Sequence, residues 1–478
     1  MKKLFLSVTA IMLSLTLAAC SSGNFTGGAA EGAIAGDAPS AAGTAAAGGA
    51  GARDEAEGDH YEAPSEPKFG AADEGGYDMV AAEAAPGGAD GYISPDEYAE
   101  NHIPAAAGTL TAGEWIDNDH ITFWNALHQI EDTGWSEYSA LWSRAYTART
   151  FVTVTCDGQS VENAVVTVTN SAGDTLWTAK TDNEGKAYLF YNPSQLSGEL
   201  TVTAEYYEIT GKATITADNY TSCSIDLIQI TEAYYANHSD SLDLMLVVDT
   251  TGSMSDELSY LQAELESVIN RAVSDNGNIP VRLSVNFYRD DGDVYVVRDF
   301  PFTDNISQAI ADLNKQDADG GGDMPEKVNA ALDNAINQHD WNKNSTKLLF
   351  IILDAPPHSD DKTAVDEMNT ITVQAAEKGI RIIPILASGG DKEAEYLMRD
   401  IAMKTGGSYL FLTDDSGVSV GGHIQPTVGN YEVEKLNDLM VKVINRYLAS
   451  NSIPAEYTDE PVELVEEQDT ETTTEYEQ

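Results

Sequence analysis

The stretch 244-LMLVVDTTGSMSDEL-258 joins a strand to a helix. Leu244 to Val248 are continuously apolar, as in a strand covered on both faces. Asp249, Thr251 and Ser253 then follow just where the strand must end. Beyond them Leu258, Leu261, Leu265 and Ile269 fall on one helical stripe. Oxygen-bearing side chains at such a junction have two readings. They cap the helix that follows, or they line the carboxyl edge of a parallel sheet, where open α/β folds gather functional groups.

Working outward, residues 241–449 repeat the alternation. LDLMLVVD, VRLSVNFY, KLLFIILD, IRIIPILAS and SYLFLT read as apolar strands, and helical patterns run between and after them. This predicts an α/β doubly wound, mostly parallel sheet covered on both faces. VRLSVNFY and VYVVRDF read as a hairpin around the turn carrying Asp290, Asp291 and Asp293, which either shares the strand-end edge or holds solvated charges. KLLFIILD ends at Asp354, and GGGDMPEK places Asp323 just before a helix expected from Pro325. Right-handed crossovers bring these ends to one edge. Asp249, Thr251, Ser253, Asp323 and Asp354 supply hard oxygens with no His or Cys among them, a set that suits Mg²⁺, Mn²⁺ or Ca²⁺ rather than Zn²⁺. Asp323 is equally placed to cap its helix. His358 and His423 read as loop residues able to line the rim.

These segments resemble the von Willebrand factor type A (VWA) family. DTTGSMS is similar to its Asp-x-Ser/Thr-Gly-Ser motif, and GGGDMPE and FIILDAPPH to its second and third metal-site segments. The wording DTTGSM and GGD-x-PE resembles the hemicentin-like branch. The resemblance sets a domain at 238–450 and implies a Rossmann-like fold with a metal-ion-dependent adhesion site (MIDAS). In such a site Thr251 and Ser253 would bind the ion through their hydroxyls. Asp249 and Asp354 would sit close by, mostly through bridging water, and one open position would take a partner's carboxylate. The ion implied is Mg²⁺ first, with Ca²⁺ or Mn²⁺ as alternatives. Asp323 stands where many members carry threonine. An added carboxylate there should strengthen metal binding and weaken the pull on an incoming acidic group.

Upstream, residues 149–230 switch to period two, with seven short strands separated by turn clusters such as NSAGD and TDNEGK. This predicts an antiparallel β-sandwich preceding the α/β domain. GQSVENAVVTVTNSAGDTLWTAKTDNEGKAYL resembles immunoglobulin-like or carboxypeptidase-regulatory-like sandwiches of surface proteins, which usually act as spacers or supports. Cys156 falls in the first strand and Cys223 in the last, so a disulfide is expected if the compartment is oxidising, and two buried thiols otherwise. Residues 106–148 carry Trp115, Trp124, Trp135 and Trp142. They read as two short helices burying their rings on a neighbouring domain, in preference to an exposed platform for sugars.

Residues 1–20 read as an address: Lys2 and Lys3, then an apolar stretch too short to span a bilayer. LAAC, Leu17 to Cys20, resembles the bacterial lipobox, which implies a lipidated (palmitate-bearing) Cys20 and a lipoprotein held at the extracellular face of the cell envelope by that lipid anchor alone. Residues 21–105 are too rich in Ala and Gly to form a core and read as a disordered tether reaching roughly 50 Å. Residues 451–478 are acidic, without Lys or Arg, and read as a solvated, disordered tail. Acidic residues number 78 against 26 basic, for a net charge of −52, which argues against nucleic acid and against anionic membrane surfaces. The sequence holds no H-E-x-x-H, no G-x-S-x-G and no phosphate-cradling loop with Lys, so an enzyme is not expected. The expected partner is a protein or extracellular-matrix ligand offering an acidic side chain. An envelope assembly module with a structural ion, and a metal-assisted hydrolase, are the alternatives.

Overall fold

The structure is a computed structural model. It describes residues 110–462 apart from 145–147, 193, 195–197, 218–219, 228–238, 240, 323, 414–422 and 450–454. The leader, Cys20 and the tether lie outside the described residues, as does Asp323.

The described chain opens with β1 (Thr111–Trp115) and two one-to-two-turn helices, α1 (Ile121–Leu127) and α2 (Trp135–Leu141). Eight strands follow: β2 (Ala148–Cys156), β3 (Gln159–Ser160), β4 (Val165–Thr169), β5 (Thr175–Lys180), β6 (Lys186–Tyr191), β7 (Glu199–Tyr206), β8 (Ile209–Thr216) and β9 (Tyr220–Asp226). They form two four-stranded sheets, β5-β4-β7-β8 and one built around β2 with β3, β6 and β9. The alternation of apolar residues places Val166, Val168, Leu200 and Val202 of one sheet in the same apolar cluster as Val152, Val154, Leu189 and Ile225 of the other.

Two expectations for this unit are corrected. β2 and β9 run parallel rather than antiparallel. Their register sets Cys223 opposite Val152, four residues from Cys156. At about 3.3 Å per residue that offset is about 13 Å, far beyond what a disulfide tolerates, so the two sulfurs are not bridged.

The α/β part then runs β10 (Leu242–Asp249), α3 (Ser255–Asp275), β11 (Val281–Tyr288), β12 (Val297–Arg298), α4 (Ile306–Leu313), α5 (Val328–Asn337), β13 (Thr346–Leu353), α6 (Lys362–Lys378), β14 (Ile380–Leu386), α7 (Lys392–Thr405), β15 (Tyr409–Thr413), β16 (Glu434–Lys435) and α8 (Leu436–Leu448). Its sheet has the order β12-β11-β10-β13-β14-β15-β1-β16. β11, β10, β13, β14 and β15 are mutually parallel, while β12 and β1 are antiparallel to their neighbours. Leu244, Leu246 and Val248 face α3, α4 and α8, whereas Met245 and Val247 face the cluster with α5, α6 and α7. Both faces are therefore covered, which is why the strands are apolar throughout rather than alternating.

The N-terminal aromatic segment is not a separate unit. β1 pairs with β15 over Thr111–Trp115 and so covers what would otherwise be an open sheet edge. The approach is close enough that a Cβ on Gly113 would overlap Phe411 and Tyr431. Glu114 accepts from both terminal nitrogens of Arg446 on α8 at 2.6 and 2.7 Å. The α/β domain is thus assembled from two pieces of chain with the two-sheet unit between them. As expected, the rings are buried: Trp124 and Trp135 pack on Tyr396 of α7.

The tail expectation also changes. Ala455 donates to Glu184 O, Thr458 reaches Asp119, and Tyr457 lies against Phe151, so residues 455–462 lie along the fold instead of leaving it.

Candidate metal centre

β10 and β13 are neighbours in register, Val248 opposite Ile352, so Asp249 and Asp354 arrive side by side at the carboxyl edge. Both are buried. The chain turns sharply after Asp249, and its Oδ1 accepts from Thr251 N at 2.9 Å and Thr251 Oγ1 at 2.8 Å. Ser253 Oγ lies 3.5 Å from Thr251 Oγ1. None of these oxygens caps α3: its N-cap is Met254, with no side-chain cap hydrogen bond. Of the two readings of the opening stretch, the structure therefore favours the sheet edge.

The glycine loop of the second motif closes over this turn. Asp319 N donates to Thr250 O at 3.0 Å and Gly252 N to Gly320 O at 3.2 Å. Gly320 and Gly321 both take positive φ, and a Cβ on Gly320 would collide with the Asp293 carboxylate. Gly321 N donates to Asp293 Oδ2 at 3.1 Å. The hairpin turn therefore shares the edge, and Asp293 is part of its architecture. Asp290 is buried and meets His358 Nε2 at 2.8 Å, while Asp291 pairs outward with Lys327 at 2.7 Å. His423 reaches the same rim, 3.1 Å from Ser388 Oγ, which donates to Glu257 at 2.6 Å. The helix expected from Pro325 begins at Val328, with Lys327 at its N-cap.

Sequence reasoning missed Glu326. Its backbone N donates to Pro356 O at 3.0 Å, pinning it to the loop after Asp354. Its side chain is buried beside Gly321 and Thr251. The only available signal was its place in GGGDMPEK, where a helix start explained it equally well.

Residues 243–420 match the sequence model of the von Willebrand factor A domain. This stretch is a VWA domain. Over parts of the chain the sequence is similar to the putative ariadne-like RING finger protein R811 of Acanthamoeba polyphaga mimivirus, 33% identical over 117 residues, and to the alpha-protein kinase vwkA of Dictyostelium discoideum, 28% identical over 122 residues. These matches cover 24% and 25% of this chain but 11% and 19% of the relatives, so the chain spans less than a fifth of the length of either. The crystal structure of the conserved hypothetical protein BatB from Bacteroides thetaiotaomicron is similar at 13% identity and a TM-score of 0.25, over 43% of this chain and 85% of that one.

The VWA edge is short of positive charge. Burial, then the neighbouring Asp354, pushes the Asp249 carboxyl up to about 7. Burial raises Asp354 as well, with Ser253 pulling the other way. Glu326 is pushed up to about 9 by burial, then by Asp249, Asp290, Asp354 and Asp293. Asp249 Oδ2 and Glu326 Oε2 are buried with no hydrogen-bond partner among the described residues. Orphaned carboxylate oxygens beside two hydroxyls fit a hard divalent cation. Among the described residues no three His, Cys, Asp or Glu groups converge as a ready chelate.

Proposed function

We propose that the VWA domain binds a divalent cation at Asp249, Thr251, Ser253 and Asp354, with Asp323 as a further candidate, and that this edge mediates metal-dependent binding to a protein partner. The observation that carries the reading is Asp249 Oδ2, a buried carboxylate oxygen with no cation and no well-formed hydrogen bond among the described residues, set at the sheet edge beside Asp354 with only the Tyr288 hydroxyl drawing on its carboxylate from across the edge. Thr251 and Ser253 would hold the ion through their hydroxyls, and the two aspartates would balance its charge. Mg²⁺ is the first candidate, then Ca²⁺ and Mn²⁺. The bound ion would supply an electrophilic position for an acidic side chain of the partner. VWA domains generally mediate protein–protein contacts, which supports a protein partner. Placement at the outer face of the cell envelope rests on the LAAC motif and Cys20. Among the described residues no helix is long and apolar enough to cross a membrane.

Thermal unfolding of the full chain is the test, with Mg²⁺, Mn²⁺ and Ca²⁺ titrated separately. The wild type should be stabilised by about 2.7 kcal/mol at a hundredfold excess over Kd. Asp249→Ala should not respond; equal responses would falsify the assignment. Partner capture should disappear with chelator, and capture that survives chelation would assign the contact to another surface.

A further inference from the structure

The proposed centre contains a carboxylate, the last residue of the GGGDMPE segment, to which the motif reading assigned no role. Glu326 is 3% exposed, and its Oε2 meets no donor among the described residues. A buried acid of this kind normally accepts a hydrogen bond or an ion pair, since burying it alone costs several kcal/mol. Lys327, next in sequence, turns away to Asp291. The backbone around Glu326 is fixed from two sides. Its N–H is tied to Pro356, two residues beyond Asp354, and a bridge pairs it with Pro357. The Gly321 backbone separates it from Asp293 and brings it near Thr251: a Cβ on Gly321 would lie 3.4 Å from Glu326 Oε1 and 3.2 Å from Thr251 Cβ. The carboxylate therefore lies close enough to Asp249, Asp290, Asp354 and Asp293 to be repelled by all four. A side chain at Gly321 would press on both Glu326 and Thr251. With φ at +73° and a tight contact on each side, that position disfavours any larger residue.

We propose that Glu326 is an outer-shell carboxylate of the metal centre, held to the ion through bridging water, and that it sets the affinity of the site. The proposal rests on the reading of the edge as a metal site. Water mediation suits its place: Glu326 is pinned to the loop after Asp354 and lies near Thr251 across Gly321, one layer behind the Asp249 turn. Groups in this position typically change metal affinity tenfold to a hundredfold.

The test is calorimetric titration of Mn²⁺ into the full chain, as wild type, Glu326→Gln and Asp249→Asn, with unfolding of each followed in chelator. Glu326→Gln should bind Mn²⁺ roughly tenfold to a hundredfold more weakly. Its metal-free unfolding temperature should stay level or rise, because the neutral amide avoids the cost of burying an acid that has no partner among the described residues. A purely structural glutamate would give the reverse: lower metal-free stability and unchanged Mn²⁺ affinity. That result overturns the proposal and leaves the metal site standing. If Asp249→Asn binds Mn²⁺ like the wild type, or the wild type binds none, the site itself fails and the proposal falls with it. Should Glu326→Gln not fold, Glu326→Asp supplies the measurement: it keeps the charge but shortens the reach, and Mn²⁺ affinity equal to wild type would again overturn the role.

Discussion

Two groups of buried carboxylates in this α/β domain stand under opposite conditions. Where the N-terminal segment meets α7, Asp117 accepts from Arg399 Nε at 3.0 Å and Nη2 at 2.7 Å, and Glu395 accepts from Arg399 Nη1 at 3.1 Å. Asp400 pairs with Lys404 at 2.9 Å and with Arg144. Burial raises the Asp400 carboxyl, but Arg144 and Lys404 outweigh it and hold it below the ordinary range. At the sheet edge Asp249 and Glu326 are as deeply buried, have no such cations, and are pushed up instead. Burial alone therefore does not separate structural acids from ligating ones. Accounting for the partner of each oxygen does, because a folded chain rarely leaves a buried charge uncompensated unless something outside the chain compensates it.

The sharpest way to break this contrast is to remove the cation from the satisfied side. Arg399→Leu leaves Asp117 with the Trp115 indole N–H and no cation, leaves Glu395 to Lys392 and Thr427, and takes the guanidinium from the faces of Trp124 and Trp135. The expected loss is about 3–5 kcal/mol in urea unfolding, since breaking a buried pair leaves an uncompensated charge. A loss below 1 kcal/mol would mean that water or rearrangement reaches these acids, and the contrast would fail.

His128 sharpens the same side through pH. Burial drives its imidazole down to about 4, against opposing contributions from the Trp124 carbonyl and Asp400, while Arg399 and Lys404 push it further down. The folded chain therefore keeps His128 neutral where the unfolded chain already takes a proton. Its contribution is fully present above pH 6.5 and is lost as pH falls toward 4. The loss approaches about 3 kcal/mol at the acid end. Comparing unfolding of wild type and His128→Gln at about pH 7.5 and about pH 4.5 isolates it from the carboxylates, because the gap between the two proteins should shift in favour of the variant on acidification. A constant gap would show that the folded ring is protonated as well.

On the edge side the sign reverses. Asp249→Asn keeps an acceptor for Thr251 and removes a charge that lies beside Asp354. In chelator it should gain about 1–2 kcal/mol. With metal present the order should invert, because only the wild type is then stabilised by the ion. A variant less stable than wild type in chelator would place Asp249 among the satisfied acids.

The edge was legible in the sequence because its logic is local. A strand that stops on Asp249, and another that stops on Asp354, announce themselves one strand at a time. Parallel pairing does the rest. What escaped the sequence depends on distant chain. Nothing in TAGEW says that it will cover β15, some three hundred residues later, because a five-residue strand pairs with whichever edge is open. The register of β2 on β9, which keeps Cys156 and Cys223 apart, is likewise set by pairing and not by spacing. Glu326 escaped for a different reason: PEK before an apolar helical pattern reads as an ordinary helix start, and its role appears only when Gly321 and Pro356 bracket it.

A third arrangement compensates a buried charge without any acid. Arg149 is 1% exposed, and its Nε and Nη2 have no hydrogen-bond acceptor among the described residues. Its Nη1 donates to Asn118 O at 2.5 Å and Oδ1 at 3.1 Å, and the guanidinium lies 5.3 Å from the ring centre of Tyr188 and 5.4 Å from that of Tyr457, which the C-terminal segment brings in. If the ring face is what matters, Tyr457→Phe should be nearly neutral, while Tyr457→Leu should lose about 0.5–1 kcal/mol despite similar apolar volume. Added salt should change that difference little, since the contact is partly desolvated and not an exposed ion pair. Equal losses for Phe and Leu would point to the hydroxyl, and would remove the aromatic face from the ways this fold keeps a buried charge.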